Sequence, residues 1–350
     1  MDSKNFGQTR RDFLKSLAMS GSVLTFASNQ IFTLAKPIDK IPIDENFNYK
    51  FKTISARHIK ELKPWFDKLK AEKQISSNEI FRGYIDKFVF NPDEILPGAK
   101  SVIIISMPLK AASITFHKKG KAYEILLPTD YYDDGATFES ITNRIKKDFS
   151  ISDKSRIVYR VKLPLKTLAV RSGLARYGRN NITYIDDYGS FHRLVGFYTD
   201  VELEDNWGPL EMLHFCKGCS LCYYNCPTKA ITKNKFPVNI GECVTLYNER
   251  TEPFPESLDP TSHNTLVGCL KCQWDCPAND ECRMKIVKLG ELNERETEFV
   301  LNQGKDEKLY KTILKKLELF PYANDLAYFS RNLNAVLANA EKKQFHFQHK

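Results

Sequence analysis

The chain has 350 residues, of which 42% are hydrophobic and 27% are charged, which excludes a largely disordered chain and a collagen-like one. Its length predicts about two domains. The formal net charge of +9 would suit phosphate, an anionic membrane surface or an acidic partner, yet no five Lys or Arg residues stand together. All nine cysteines fall between Cys216 and Cys282, a concentration that favours a metal site over a disulfide framework spread along the chain.

The N-terminal residues 1–35 are predicted to be an export signal. Arg10 and Arg11 precede an apolar stretch at residues 16–26, as in the twin-arginine signals that a transport receptor reads. The stretch is shorter than the ~20 residues of a membrane-spanning helix. An amphipathic helix with a chance pair of arginines is the alternative. The signal predicts that a folded protein reaches the periplasm or the outer face of the cytoplasmic membrane.

The rest of the chain predicts a mixed α/β region followed by the cysteines and a helical tail. Residues 36–50 are predicted to be a linker, 51–209 an α/β domain, 210–285 a cysteine module, 286–340 a helical tail and 341–350 a frayed end. Within the α/β domain, periodicity predicts helices over 54–73, 138–149 and 164–172, and strands over 102–105, 157–161 and 191–201. The continuous apolar run at 102–105 is typical of a strand that is buried on both faces.

The first cysteine run has the spacing C-x2-C-x2-C-x3-C-P, formed by Cys216, Cys219, Cys222 and Cys226 with Pro227. Bacterial ferredoxins use this spacing, in which three thiolates bind one [4Fe–4S] cluster and the fourth binds another cluster. Zinc is the alternative, although structural zinc sites usually take two separated pairs of ligands. The spacing therefore favours iron–sulfur chemistry.

The second cysteine run completes the ligand set for two clusters. It reads C-x2-C-x3-C-P and lacks the first cysteine of the ferredoxin pattern, while Cys243 stands alone upstream. Cross-ligation between the runs predicts a first cluster site and a second cluster site. The first would use Cys216, Cys219, Cys222 and Cys276, and the second Cys226, Cys243, Cys269 and Cys272. Cys282 is left over and is predicted to be a buried free thiol.

The cysteine module resembles the iron–sulfur module of the superfamily that contains epoxyqueuosine reductases and reductive dehalogenases. The resemblance lies in residues 216–231, 241–246 and 268–277. Residues 91–105 and 169–183 are similar to the α/β part of that superfamily, and residues 330–339 to the helical tail of the epoxyqueuosine reductases. The resemblance implies an α/β (α+β) domain of the corrinoid-binding type, a ferredoxin-like module with two [4Fe–4S] clusters and a helical C-terminal tail.

The same resemblance implies a cobalamin site in the α/β domain. The matching positions are Gly173, Gly178, Tyr188, Gly189 and Ser190. Glycines would allow the backbone to approach a large planar ligand, or they would simply form tight turns. The D-x-H-x-x-G motif of other cobalamin proteins is absent from the sequence. Its absence is compatible with the superfamily, whose members hold the corrinoid without a protein ligand on its lower face.

Tyr159 is the candidate catalytic proton donor. It stands where the resembling epoxyqueuosine reductases carry an aspartate proposed for that role, whereas reductive dehalogenases are thought to use a tyrosine assisted by a cation. Arg160 and Lys162 lie beside it, and a phenol whose anion is stabilised by a cation can act as a general acid. A merely exposed strand tyrosine is an equal alternative, and Tyr131 and Tyr132 are weaker candidates.

The sequence therefore predicts an exported oxidoreductase that resembles reductive dehalogenases. Electrons would pass through both clusters to a cobalt centre, for reductive cleavage of a small organic substrate. Its partners would be that substrate, a membrane or periplasmic electron donor and the twin-arginine machinery; an exported enzyme would not meet nucleic acid. The alternatives are an exported electron carrier without corrinoid, an accessory corrinoid-binding protein and, if the export prediction fails, an epoxyqueuosine reductase-like enzyme that modifies tRNA.

Overall fold

The computed structural model describes residues 47–134, 138–152, 155–159, 162–233, 236–283 and 285–343. The predicted export signal and most of the predicted linker lie outside these residues. The helices are α1 His58–Ala71, α2 Glu79–Ile85, α3 Phe138–Asp148, α4 Leu165–Arg171, α5 Leu221–Asn225, α6 Val244–Asn248, α7 Lys271–Trp274, α8 Glu294–Leu301, α9 Glu307–Lys316 and α10 Leu326–Lys343. The strands are β1 Lys50–Ser55, β2 Ser101–Pro108, β3 Ala111–Lys118, β4 Lys121–Leu127, β5 Ile157–Tyr159, β6 Arg176–Tyr177, β7 Thr183–Tyr184, β8 His192–Thr199 and β9 Ile286–Leu292.

The first sheet is antiparallel, with the strand order β1-β2-β8-β5. Successive side chains of a strand point to opposite faces, so β2 places Val102 and Ile104 on one face and Ile103 and Ile105 on the other. Helices α1 and α4 cover the first of these faces, and α3 covers the second. All four side chains are fully buried, which confirms the predicted strand between two apolar layers.

The second sheet joins the middle of the chain to its C-terminal part. Its order is β4-β3-β9, with β3 antiparallel to β4 and parallel to β9. The three C-terminal helices pack on this sheet and form the largest core. Helix α8 begins with a capping box, in which Asn293 accepts from the Glu296 amide and the Glu296 carboxylate accepts from the Asn293 amide.

Several predicted boundaries of helices are wrong, mostly because the residues concerned pair with another strand and form part of a sheet. The helix predicted from residue 54 begins at His58, because Ile54 belongs to β1 and pairs with Val102. The segment predicted as the start of the helical tail is β9, and β3 and β4 were not predicted. Helix α10 continues to Lys343, so the frayed end predicted from 341 is helical for its first three residues. No helix in the described part of the chain is long and apolar enough to cross a membrane.

Candidate iron–sulfur centre

Two short helices carry equivalent cysteines of the two runs. Helix α5 holds Cys222, helix α7 holds Cys272, and the two helices pack against each other. The cysteine after each helix, Cys226 or Cys276, has an extended backbone, as expected for a residue that precedes proline. The two cysteine-proline turns therefore form matched halves of one module.

The four cysteines predicted for the first cluster site lie close enough to influence one another. Burial raises the pKa of Cys222 to about 11, and the negative charges of the Cys216, Cys276 and Cys219 thiolates contribute further. Cys276 is more than 50 residues from the other three in sequence. Its presence in this group supports the predicted cross-ligation between the runs.

The second cluster site is more deeply enclosed. Burial is the largest cause that raises the pKa of Cys272 well above its usual range. The negative charges of the Cys269, Cys243 and Cys226 thiolates raise it further. Burial likewise raises the pKa of Cys243 to about 12, with the Cys269 thiolate adding to it. The Cys222 charge also reaches Cys272, so the two cluster sites adjoin.

The chemistry of these residues fits two iron–sulfur clusters. All nine cysteines are free thiols. Neutral buried thiols ionise only when a metal supplies positive charge, and metal binding then releases their protons. No three His, Cys, Asp or Glu side chains among the described residues could hold a single metal ion, whereas a [4Fe–4S] cluster takes one thiolate at each of its irons. When bound, the clusters would supply one-electron transfer.

Hydrogen-bond donors reach the cysteine sulfurs from outside the two cysteine runs. The Arg179 amide donates to Cys216 Sγ at 3.4 Å, and the Asn264 Nδ2 donates to Cys269 Sγ at 3.2 Å. The Tyr184 hydroxyl accepts from Asn180 Nδ2 at 2.9 Å and lies near Cys276. Burial, followed by the charge of the Cys276 thiolate, raises the pKa of Tyr184 well above its usual range. Sequence analysis did not identify these donors, since no spacing rule marks them.

Cys282 differs from its prediction. Its side chain is partly exposed rather than buried, and its Sγ donates to the Asp187 carbonyl at 3.4 Å. The residue follows the short turn after Cys276 and therefore lies at the edge of the module. The prediction of a buried thiol is wrong: Cys282 packs against the apolar cluster of Leu126, Phe191 and Leu270 but stays partly exposed.

Three of the residues predicted to bind a corrinoid make close contacts within the chain. A Cβ on Gly178 would lie 2.4 Å from the Tyr184 ring, and one on Gly189 would lie 2.2 Å from Asn279 Oδ1. The Ser190 amide donates to the same Asn279 oxygen at 2.7 Å. The contacts of Gly189 and Ser190 with Asn279 join the α/β region to the cysteine module, whereas the Gly178 contact lies within the α/β region. Packing within the chain thus accounts for these small residues without a ligand.

The other two predicted corrinoid residues lie nearer the surface. Gly173 follows helix α4 with φ +72°, and a Cβ there would meet no atom within 4 Å. The Tyr188 ring is half-buried and has the Lys50 ammonium 5.0 Å from its centroid. The described residues give no geometry for a cobalamin, so its binding stays a prediction.

Tyr159 ends strand β5 on the face of the first sheet that α3 covers. Its ring is partly buried and meets Phe197 edge to face, with 5.8 Å between centroids. The neighbouring Arg160 lies outside the described residues, and Lys162 is exposed. Tyr159 is therefore a partly buried strand tyrosine and not a merely exposed one, and its role as proton donor stays a prediction.

The alternative tyrosines are core residues. Tyr131 donates a hydrogen bond to Glu249, and Tyr132 donates to the Lys110 carbonyl at 3.2 Å. Burial raises the pKa of Tyr132 to about 12. Beside them, Arg193 pairs with Asp130 and with Asp134. Sequence analysis missed this ionic group because its members come from two distant segments.

Comparison with known proteins identifies the cysteine module. The family model for a 4Fe-4S double cluster binding domain matches residues 215–279. Epoxyqueuosine reductase from Escherichia coli K12 is 29% identical over 202 residues, which cover 54% of this chain and 51% of that protein. The Bacillus cereus epoxyqueuosine reductase is 26% identical over 198 residues, covering 54% and 50%. The chain spans about half the length of the curated relatives that it matches.

Solved structures show the same fold. An epoxyqueuosine reductase from Bacillus subtilis, whose catalytic Asp loop is swung out of the active site, superposes with a TM-score of 0.59 at 18% identity, covering 84% of this chain and 78% of that one. A crystal structure of epoxyqueuosine reductase with an epoxyqueuosine-modified tRNA-Tyr stem loop gives 0.60 at 19% identity, with the same coverage. The chain is thus similar to epoxyqueuosine reductases over about half of its length, and it has a mixed α/β fold and a module for two [4Fe–4S] clusters.

These findings correct the expected partners. The expectation that nucleic acid plays no part followed from the predicted export signal, whereas the structural neighbour just described holds a tRNA stem loop. The comparisons also favour the epoxyqueuosine reductase alternative over the dehalogenase-like function. The expected absence of nucleic acid depended entirely on the predicted export signal, which lies outside the described residues.

Proposed function

We propose that this protein is an iron–sulfur oxidoreductase that reduces epoxyqueuosine in tRNA. The observation that carries the proposal is the 202-residue similarity to epoxyqueuosine reductase, which comes together with the 4Fe-4S double cluster binding domain. Reducing an epoxide to an alkene takes two electrons and two protons and releases water. Two adjoining [4Fe–4S] clusters, each of which transfers one electron, could together supply the two electrons.

A surface near the first cluster site supports a nucleic-acid substrate. Residues 212–236 contain four lysines and no Asp or Glu. The exposed ammonium of Lys233 lies 5.3 Å from the ring centroid of Tyr223 and 5.4 Å from that of Tyr224, and Lys229 lies 5.9 Å from Tyr223. Lysines that contact phosphates and aromatic rings that stack on bases are the common elements of single-stranded RNA binding. We call Tyr223, Tyr224, Lys229 and Lys233 the aromatic–lysine surface.

Most of the exposed large apolar side chains lie in the same stretch. Of those among the described residues, all but Phe51 fall within it: Met212, Phe215, Leu221, Tyr224 and Phe236. Concentrated apolar exposure marks an interaction site more often than scattered exposure does. Unpaired bases of an anticodon loop would cover such a surface while the lysines meet the backbone.

The test is turnover of a defined RNA. The full chain, purified without oxygen and reduced with dithionite, is mixed with a tRNA-Tyr stem loop that carries epoxyqueuosine. Mass spectrometry should show the loss of one oxygen from the modified base, and iron analysis should give about eight iron atoms per chain, as two [4Fe–4S] clusters require. A chain with full iron content that leaves the RNA unchanged, with and without added cobalamin, would refute the proposed substrate.

The same assay tests the proton donor of this proposal. We assign that role to Tyr159 from its position in the sequence. Tyr159→Phe should lose turnover and keep its iron. Tyr49→Phe is the matched control, because Tyr49 packs on the same face of the sheet and donates to Asp148 at 2.6 Å. Equal turnover in the two variants would remove Tyr159 from the mechanism.

The predicted export remains a separate proposal. Arg10 and Arg11 lie outside the described residues, and a tRNA substrate requires that the enzyme acts in the cytoplasm. Cell fractionation of the natural protein and of an Arg10→Lys, Arg11→Lys variant decides between the two compartments. A natural protein found only in the cytoplasm would refute export.

A further inference from the structure

The turn that leads into the second cysteine run brings a side-chain donor to a predicted ligand of the second cluster site. Asn264 is 5% exposed and stands five residues before Cys269. Its Nδ2 lies 3.2 Å from Cys269 Sγ and 3.0 Å from the Ser262 carbonyl oxygen. An amide nitrogen carries two protons and can only donate. Each proton therefore has one acceptor, and one of these acceptors is the sulfur of a predicted cluster ligand.

The oxygen of the same side-chain amide fixes this orientation. The Leu270 backbone amide donates to Asn264 Oδ1 at 3.2 Å. In the flipped orientation two donors would face each other at Leu270 and two acceptors at Ser262, so the flip is unfavourable. The Sγ of Cys269 also lies 3.7 Å from Asn264 Oδ1, to which a neutral thiol can donate. A thiolate that binds iron can only accept, and Nδ2 is then its partner.

The turn that carries Asn264 is itself held in place. The Thr265 hydroxyl donates to the Gly268 carbonyl at 2.9 Å. Gly268 has φ +68°, and a Cβ there would lie 2.6 Å from the Tyr131 hydroxyl oxygen. The backbone between Asn264 and Cys269 therefore has little freedom, which keeps the donor at hydrogen-bonding distance from the sulfur.

We propose that Asn264 is a positioning residue that raises the reduction potential of the cluster in the second site. Reduction adds negative charge to the cluster and its thiolates, and a donor directed at a ligating sulfur stabilises that charge. A buried donor acts more strongly than one that is exposed to water. Since the two sites adjoin, the potential of the second cluster relative to the first determines how readily electrons move between them. The inference rests on the iron–sulfur part of the proposed function and is independent of the tRNA substrate.

The experiment is an anaerobic redox titration of the full-length protein, followed by electron paramagnetic resonance. In Asn264→Leu, one of the two cluster signals should move to lower potential by about tenfold in its reduction equilibrium, which is about 59 mV for a one-electron couple. The other signal should stay unchanged, because the sulfur that Asn264 contacts belongs to one site only. Leucine has a similar size, so the buried position stays filled.

Two further variants separate the donor from the turn that carries it. Asn264→Asp keeps an acceptor for the Leu270 amide and puts a carboxylate oxygen in place of Nδ2. At about pH 8, where a carboxyl is ordinarily ionised, the same signal should fall at least as far as in Asn264→Leu. Thr265→Val is the matched control, because Thr265 is 1% exposed and its hydroxyl donates within the same turn to a carbonyl and not to a sulfur. It should shift neither signal.

Unchanged potentials in Asn264→Leu or in Asn264→Asp, with full iron content, would overturn the inference, and so would an equal shift in Thr265→Val. If only Asn264→Leu loses its clusters, Asn264→Asp decides by the same criterion. Loss of the clusters from both variants would also overturn the inference, since Asn264 would then be required for the site to form.

The natural protein separates this inference from the proposed function. A natural protein without cluster signals would overturn both the inference and the iron–sulfur proposal. A shifted signal in Asn264→Leu, when the natural protein leaves the RNA unchanged, would support the inference and count only against the tRNA substrate.

Discussion

A buried histidine helps to hold the loop that lies between two cysteines of the second cluster site. His263 is 2% exposed, and its Nδ1 lies 2.9 Å from Asn248 Oδ1. Asn248 in turn donates to the Gly268 carbonyl at 3.0 Å, next to Cys269. Burial, followed by the positive charge of Arg331, lowers the pKa of His263 to about 4. The neutral ring is therefore part of the folded structure.

This environment predicts a pH-dependent stability. Because the folded pKa lies below the unfolded value of about 6.5, His263 stabilises the fold fully above pH 6.5, and that contribution is lost as the pH falls toward 4. Between pH 7.5 and 5.5 the free energy of unfolding of the natural protein should fall by about 1 kcal/mol more than that of His263→Asn. Denaturant titrations at both pH values measure the difference, and parallel pH profiles would contradict it.

At the same scale, the sequence predicted ligands better than it predicted their neighbours. A [4Fe–4S] cluster itself requires a particular spacing of its cysteine ligands. The two cysteine runs could therefore be interpreted before the fold was known. Arg179 and Cys216 are 37 residues apart in sequence, and Asn180 meets Cys272 only after the hairpin has packed on the module. Such donors follow no period and become recognisable only in three dimensions.

The aromatic–lysine surface belongs to a single element, helix α5 and the loop that follows it. If it binds the stem loop, its two lysines act through phosphates. Replacing Lys229 and Lys233 by Ala should weaken RNA binding and lower the slope of log affinity against log salt by about 1 for each lysine. Fluorescence anisotropy with a labelled stem loop at several salt concentrations measures both effects.

The matched control changes the same charge elsewhere. Lys60 and Lys63 are exposed on helix α1, outside the cysteine module, and pair with Asp93 and Asp67. Their double alanine variant should keep the natural salt slope. An equal loss in both variants would mean that RNA responds only to net charge, and the aromatic–lysine surface would have no special role.

Elements with one clear period were predictable, and elements fixed by a partner strand were not. Helix α3 and strand β2 lie where periodicity placed them. Ile286, Leu289 and Leu292 are spaced by three, which fits a helical face as well. Residues 286–292 nevertheless form a strand, because they pair in parallel with β3. This tertiary contact outweighs the local preference for a helix.

At the scale of the whole molecule, the C-terminal helix is hydrogen-bonded to the loop between two cysteines predicted for the second cluster site. Asn332 of α10 is buried, and its Nδ2 donates to the Asn248 carbonyl at 3.0 Å and to the Leu266 carbonyl at 2.6 Å. These acceptors lie at the two ends of the loop between Cys243 and Cys269. The predicted helical tail thus ties the two ends of this loop together. The sequence did not indicate this contact, because it joins residues more than 60 positions apart.

Asn332→Ala should therefore release the second cluster before the first. The change leaves the Leu266 carbonyl without its donor, at a cost of about 1–3 kcal/mol. The Asn248 carbonyl keeps only the Tyr328 hydroxyl as a donor, so the loop between Cys243 and Cys269 is held less firmly to the helix. Asn264→Leu removes a donor to Cys269 of the second site, so the electron paramagnetic resonance signal that it shifts identifies the second cluster. When Asn332→Ala is incubated with an iron chelator, that signal should decay first while the other cluster signal persists. Asn334→Ala is the control on the same helix, because Asn334 donates to the Leu301 and Ser330 carbonyls and leaves this loop untouched. Simultaneous loss of both clusters in Asn332→Ala would show that the module unfolds as one unit, and the helix would then support the module as a whole and not the second site alone.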